Sequence, residues 1–174
     1  LASIIFNGTP RGMPDWGKQG TLTEEETDLM ARFIQNEPPQ PPEMSLEQML
    51  ATWKVFVEPE DRPTSPQHNR NWENFFAVTL RDAGQVAIID GDTYEVVNYV
   101  NTGYAVHISR MSATGRYVFT IGRDGKLALI DLWMEVPDKV AEVQTCYDAR
   151  SVETSKYNGE EGDFTDKYAV VGCY

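Results

Sequence analysis

Apolar residues recur at helical spacing over residues 23–35, with Leu29, Met30, Phe33 and Ile34 sharing one face. Thr23, with Glu26 three places on, has the spacing of a capping box, so a helix is predicted to start there and to pack on something apolar. N-E-P-P-Q-P-P follows, and its four prolines over 38–42 forbid helix and impose an extended tether. Ser45 and Gln48 repeat the capping-box spacing and open a second short helix with Leu46, Met49, Leu50 and Trp53 on one side. E-P-E-D-R-P-T-S-P-Q-H-N-R then reads as a polar, proline-broken linker. From Phe75 onward the pattern changes to period-two alternation and short apolar runs, punctuated by D-A-G, D-G-D, A-T-G and R-D-G turns. A small α-helical part is therefore expected up to a boundary near residue 70, and an all-β part after it.

Two strand-like stretches in the β part are one unit written twice. G-Q-V-A-I-I-D (84–90) and G-K-L-A-L-I-D (125–131) are offset by 41 residues, a period that suits one propeller blade per copy. The aspartate closing each copy, Asp90 or Asp131, is expected to cap a turn by accepting backbone N–H bonds. Two such units cannot close a propeller of four to eight blades. The chain opens on L-A-S-I-I-F and stops inside the strand-like Y-A-V-V-G-C-Y, so it reads as an internal fragment, with further blades expected downstream.

Composition narrows the function classes. The chain has 174 residues, 41% of them apolar, enough for a packed core. A net charge of −12 argues against nucleic acid or an anionic membrane as main partner, because polyphosphate demands a basic face; basic partners suit it better. No run approaches the roughly 20 apolar residues of a membrane span. Cys146 and Cys173 have no neighbouring cysteine or histidine, which excludes a C-x-x-C redox motif and a C-x-x-C-H haem attachment within the chain. Each reads as a structural thiol, with a Cys146–Cys173 disulfide in an oxidising compartment as the open alternative.

The candidate chemistry centres on T-G-Y-A-V-H-I-S-R (102–110), which lies between the two repeat copies and holds His107, one of two histidines. A lone strand histidine is ordinarily a core residue satisfied by a backbone carbonyl. The company of His107 is what makes it a candidate: Arg81, Arg110, Arg116 and Arg123 lie in turns or strand ends near it in an otherwise acidic chain. Solvated turn arginines are the plain alternative, yet guanidinium forks grip carboxylates bidentately. A histidine ringed by them suits an iron tetrapyrrole bearing several carboxylates. In a regular strand His107 and Arg110 point to opposite faces, so joint contact needs a bend. A second candidate is Met13 in G-M-P-D-W-G (12–17), a glycine-bounded loop able to hold a thioether as an axial iron ligand, although loop methionines are usually gap fillers.

Taken together these strings resemble the cytochrome cd-type dissimilatory nitrite reductases, which carry heme c and heme d1. The resemblance covers nearly the whole chain: G-M-P-D-W-G, S-L-E-Q-M-L-A-T-W-K-V-F-V-E-P-E-D-R-P-T, V-T-L-R-D-A-G-Q, T-G-Y-A-V-H-I-S-R-M-S-A-T-G-R-Y, I-G-R-D-G-K, I-D-L-W and A-R-S-V-E-T-S-K. The strings around His107 are the specific ones. The resemblance implies the C-terminal part of an α-helical cytochrome c domain at 1–57, a linker at 58–74, and the first blades of an eight-bladed heme d1 β-propeller at 75–174. It makes His107 the proximal ligand of the heme d1 iron. Arg81, Arg110, Arg123 and, by a weaker match, Arg150 become arginines at the d1 site, and Met13 an axial ligand of heme c iron. His68, in the linker, matches nothing functional.

The implied activity is one-electron reduction of nitrite to nitric oxide in the periplasm, by an oxidoreductase fed by a small c-type cytochrome or cupredoxin and homodimeric at full length. The distal histidines that protonate bound nitrite in the family are expected downstream and the heme c attachment site upstream, so no catalytic residue is expected within this chain, and the fragment alone is expected to be inactive. K-Y-N-G-E-E-G-D-F-T-D-K-Y departs from the family by a few extra residues, and cysteine is not typical at 146 and 173. The alternatives are a heme d1 biosynthesis dehydrogenase, a paralogue of the same architecture, and a cofactor-free propeller that scaffolds protein partners.

Overall fold

The computed structural model describes residues 1–37 and 42–174; of the proline run at 38–42, only Pro42 falls within the described residues. The chain forms two compact units, Leu1–Pro41 and Pro42–Tyr174.

In the first unit, α1 (Ala2–Asn7) packs on α2 (Glu24–Gln35). The capping box forms as the spacing predicts: the Glu26 N–H donates to Thr23 Oγ1 (3.2 Å) and the Thr23 N–H donates to Glu26 Oε2 (2.8 Å). Glu24, Glu25 and Glu26 add favourable charge at the positive end of the helix dipole. The face in contact is not the one expected. Ile5 of α1 and Thr27 and Ala31 of α2 are buried, whereas Leu29, Met30, Phe33 and Ile34 are exposed, Phe33 to 76%. Thr27 and Ala31 stand four residues apart, one above the other, and their small side chains permit close approach.

The second unit begins with α3 (Leu46–Ala51), again closed by its capping box from Ser45 and Gln48, and β1 (Lys54–Val55). Residues 42–57, grouped by sequence with the helical part, belong to this unit. β1 pairs antiparallel with β8 (Asp138–Gln144), and the Gln144 N–H donates to Thr52 Oγ1 (2.9 Å). The remaining strands are β2 (Phe75–Leu80), β3 (Gln85–Asp90), β4 (Val96–Asn101), β5 (Val106–Met111), β6 (Tyr117–Gly122), β7 (Lys126–Asp131), β9 (Ala149–Thr154), β10 (Asn158–Gly159), β11 (Gly162–Asp163) and β12 (Ala169–Cys173). They form antiparallel sheets ordered β2-β3-β4, β1-β8-β7-β6-β5, β12-β9 and β10-β11.

The 41-residue repeat is legible in this topology, because β3 and β7 occupy equivalent places, each flanked by the strands before and after it. Both closing aspartates are buried and cap their turns as expected: Asp90 Oδ1 accepts the Asp92 N–H (2.9 Å) and Asp131 Oδ1 accepts the Trp133 N–H (3.0 Å). Each also holds an arginine, Arg70 on Asp90 and Arg116 on Asp131. The polar linker lies against the sheets: the Gln67 N–H donates to the Trp133 carbonyl (2.8 Å), and His68 Nε2 is hydrogen-bonded to the Leu132 carbonyl (2.8 Å).

Two apolar layers separate the sheets. Phe75, Val86, Ile88, Val100, Val106, Val118, Ile130 and Leu132 fill the first, between β2-β3-β4 and β5–β7. Ile121, Cys146, Ala149 and Val152, with Phe119 and Leu127 packed on them, fill the second, between the larger sheet and β9. β6 therefore sends Val118 to one layer and Phe119 and Ile121 to the other, which is why it reads as an apolar run rather than a strict alternation.

Cys146 and Cys173, read as structural thiols, are instead joined in a disulfide. The pairing of β12 with β9, which sets Cys173 opposite Ala149, brings the two together across the β10-β11 hairpin. Among the described residues no helix is long and apolar enough to cross a membrane.

Candidate functional site

Antiparallel pairing brings four of the sequence-predicted residues, His107, Arg81, Arg123 and Arg150, to one end of the sheets. β6 ends beside the start of β5, with Gly122 opposite Val106, so Arg123 and His107 issue from the same edge. Arg81 opens the short 3-10 turn after β2, and that turn contacts β5. Arg150 is the second residue of β9, which also begins at this end. Between them is a depression lined by Arg81, Tyr104, Ala105, Arg123, Tyr147 and Asp148.

His107 sits at a β-bulge, where the register shifts between Val106 and Ile108, and its side chain is exposed. The bulge breaks the strict alternation that would send His107 and Arg110 to opposite faces. The loop ahead of it is held by the R-D-G turn after β6. The Arg123 N–H lies 3.1 Å from the Tyr104 carbonyl and 3.3 Å from that of Ala105, and Asp124 Oδ2 accepts the Tyr104 N–H (3.0 Å). Ala105 has a left-handed backbone (φ 48°), a conformation costly for a residue with a Cβ, so these bonds hold the loop in a shape it would not adopt alone. Gly103, with φ 135°, lies where a Cβ would press on the Asp124 carboxylate.

Arg123 donates from Nε to Asp148 Oδ1 and from Nη2 to Asp148 Oδ2, both at 2.6 Å. The Asp148 carboxyl is held below the usual carboxylate range, chiefly by this hydrogen bonding, with smaller contributions from the positive fields of Arg150 and His107. Asp148 thus stands among three of the predicted residues. Arg150 lies over the Tyr174 ring, 5.1 Å from its centre. Arg81 is exposed beside Asp82 (3.5 Å). Arg110 is further along β5, 3.6 Å from Glu153; of the predicted residues only Arg81 and Arg123 line the depression itself, with His107 and Arg150 beside it.

Arg116, which sequence proximity grouped with these arginines, is elsewhere. It precedes β6, at the opposite end from Arg123, and is bonded to buried Asp131 and stacked on Tyr117 (4.7 Å) and Trp133 (4.3 Å). Met13 belongs to the first unit, in a loop closed by the Thr9 N–H donating to the Met13 carbonyl (3.0 Å) and the Met13 N–H donating to Thr9 Oγ1 (3.2 Å). Tyr104, Asp124, Tyr147 and Asp148 were not singled out by sequence. Asp124, next to Arg123 in the R-D-G turn, was the most accessible of them.

The donor set favours a polyanionic macrocycle over a bare metal ion. Among the described residues no group of three or more His, Cys, Asp or Glu is placed to hold a metal. A single imidazole suffices for an iron that arrives with its own four equatorial nitrogens. The guanidiniums suit carboxylates, and the tyrosines at the rim offer flat apolar faces.

Residues 70–174 match the family Cytochrome D1 heme domain. The chain belongs to this family. It is similar to a nitrite reductase of Stutzerimonas stutzeri, with 50% identity over 174 residues, which is 100% of this chain and 30% of that protein. Dihydro-heme d1 dehydrogenase of Pseudomonas aeruginosa is 29% identical over 98% of this chain and 33% of its own length. The solved structure of dihydro-heme d1 dehydrogenase NirN in complex with DHE superposes with a TM-score of 0.68 at 26% identity, covering 99% of this chain and 35% of that one. The chain thus spans about a third of the length of the relatives it matches, and its fold is that of a d1 heme domain, mostly β-sheet with few helices.

Proposed function

We propose that this chain is part of a periplasmic, nitric oxide-forming nitrite reductase, in which β2–β12 make the first blades of an eight-bladed heme d1 propeller. The observation that carries the proposal is the meeting of His107, Arg81, Arg123 and Arg150 at one end of the sheets, in a chain 50% identical to a nitrite reductase throughout its length. Residues 1–57 are read as the end of a cytochrome c domain, with residues 42–57 lying on the first complete blade, and 58–74 as the linker. Met13, exposed in its loop, is read as a ligand of heme c iron at that domain.

When bound, heme d1 supplies the one-electron reduction of nitrite with two protons to nitric oxide and water. The residues of this chain hold and orient. His107 would ligate the iron on the proximal side, and Arg81, Arg123 and Arg150 would neutralise carboxylates of the macrocycle, with Arg110 further along β5 adding positive field that favours an anionic substrate. The proton donors belong to the chain downstream. A small c-type cytochrome or cupredoxin as donor and a homodimeric full-length enzyme complete the reading.

The test is expression of the full-length chain in a denitrifying host, with its reduced absorption spectrum and nitrite-dependent nitric oxide release recorded. Both heme signatures and nitric oxide are expected, and His107→Ala is expected to lose heme d1 or bind it misligated. Normal d1 spectra and turnover in that variant would refute the ligand assignment. A second reading, a heme d1 dehydrogenase, draws on the similarity to the dehydrogenase structure; it expects both hemes without nitric oxide release. A propeller scaffold expects no d1 band.

A further inference from the structure

The arginines at the depression differ in how firmly they are held, and Arg123 is held twice. Its backbone N–H is tied to the carbonyls of the Tyr104–Ala105 loop. Its side chain is tied to Asp148 through Nε and Nη2. A guanidinium carries five N–H donors in one plane, and the Nε/Nη2 edge uses two of them. The Nη1 edge points away from Asp148, and among the described residues Nη1 makes no hydrogen bond. The side chain of Arg123 is 31% exposed and that of Asp148 36%, and both residues line the depression.

Asp148 is itself anchored. The Tyr174 N–H donates to the Asp148 carbonyl (3.0 Å), and both the N–H (2.8 Å) and Oγ1 (2.9 Å) of Thr145 donate to the Gly125 carbonyl. Gln144 Nε2 donates to the carbonyls of Asp124 (3.1 Å) and Cys146 (3.3 Å). The Cys146–Cys173 disulfide ties the same loop to the end of β12. Gly125 is left-handed (φ 70°), and a Cβ there would collide with the Cys146 carbonyl, so the loop lies tight on the R-D-G turn.

We propose that Asp148 is a positioning residue: it locks the plane of Arg123 and turns its free Nη1 edge toward a carboxylate of the bound macrocycle. This rests on the d1-site reading above. The contrary arrangement, in which Asp148 competes with the macrocycle for Arg123, needs the carboxylate to leave, and its backbone anchors oppose that. The two arrangements predict effects of opposite sign.

The experiment uses full-length protein produced without heme d1 and titrated with heme d1, following the absorption spectrum. Asp148→Ala and Asp148→Asn are expected to weaken d1 binding about tenfold, the size of one charge-assisted contact. In an Arg123→Ala background the same substitutions should cost less than about twofold, because the contact they position is gone. Asp148→Glu should restore part of the loss. Thermal midpoints of the d1-free proteins check folding, and the Asn variant, close to isosteric, serves if the Ala variant does not fold. Unchanged or tighter binding by the Asp148 variants, or an equal loss in the Arg123→Ala background, would overturn the proposal. Failure of the unsubstituted protein to take up heme d1 would instead overturn the d1-site reading and this proposal with it.

Discussion

Two bidentate aspartate–arginine pairs flank β6, one at each end, and they do different things. Arg116 and Asp131 are withdrawn from solvent, at 15% and 0% side-chain exposure, with the guanidinium stacked on Tyr117 and Trp133. Arg123 and Asp148 have the same chemistry and the same fork, yet both stand partly open beside Tyr104, Tyr147 and His107. In the first pair the rings cover the guanidinium face and the carboxylate is also spent on the Trp133 N–H, so the pair closes a turn. Both guanidiniums leave Nη1 without a hydrogen bond among the described residues, but in the second pair the fork stays partly exposed instead of lying under aromatic rings. What separates the two arginines here is the covering of their remaining surface, not their charge or their partner.

Breaking the buried pair should have the largest effect on the fold. Asp131→Ala leaves Arg116 unpaired among aromatic rings and is expected to cost about 3–5 kcal/mol of stability, readable in the thermal or urea denaturation of the full-length protein. Asp148→Ala, by contrast, should lower the midpoint by much less. If the two variants were equally destabilising, the contrast drawn above would collapse.

Next comes the disulfide, which ties the loop bearing Asp148 to the end of β12. Cys146→Ser with Cys173→Ser removes a cross-link closing 27 residues of sequence separation, worth roughly 2–4 kcal/mol in the unfolded-chain account. The double variant should also bind heme d1 less tightly, while the stability cost of Asp131→Ala stays the same in its background as in the unsubstituted protein. A changed cost of Asp131→Ala together with normal d1 affinity would reverse the assignment of which pair the disulfide serves.

Arg123→Ala should weaken d1 binding by about 10- to 100-fold, as loss of a hydrogen bond to a charged group predicts. Arg110→Ala, on a residue outside the depression, should have a smaller effect. Spectral titration of the two variants side by side settles their order.

The smallest effect is in acid. Asp148 is held below the usual carboxylate range, chiefly by its hydrogen bonds to Arg123. In the unfolded chain it titrates near ~3.9. A folded pKa below the unfolded one means that its stabilising contribution is complete above about pH 4 and is lost as pH falls through the lower folded value. The difference in urea midpoint between the unsubstituted protein and Asp148→Asn should therefore shrink between about pH 5 and 2. A constant difference across that range would mean the ion pair contributes nothing to it.

Much of the local structure was legible in the sequence because it depends on neighbours in the chain. The two capping boxes at Thr23 and Ser45, the glycine-bearing turns and the repeat that became β3 and β7 all rest on contacts within a few residues or on strand period. Of the candidate site, the sequence offered the residue types but not their grouping. His107, Arg81 and Arg123 come to one end of the sheets, whereas Arg116, grouped with them by proximity, is carried by β6 to the opposite end from Arg123. Asp148 and Tyr147 escaped notice because their approach to Arg123 depends on how β9 follows β8, a contact of long sequence separation.

By itself the sequence determined the two capped helix starts, the change to strands from Phe75 and the repeated strand, and that an acidic chain concentrates arginines around one histidine, because propensity, period and charge are local properties. The tertiary structure alone decided which arginine is buried and which is open. It also decided that the apolar face of α2 is not the one that meets α1, and that Cys146 and Cys173 are joined. Those outcomes depend on burial and on distance in space, which strand pairing sets and which spacing along the chain does not encode.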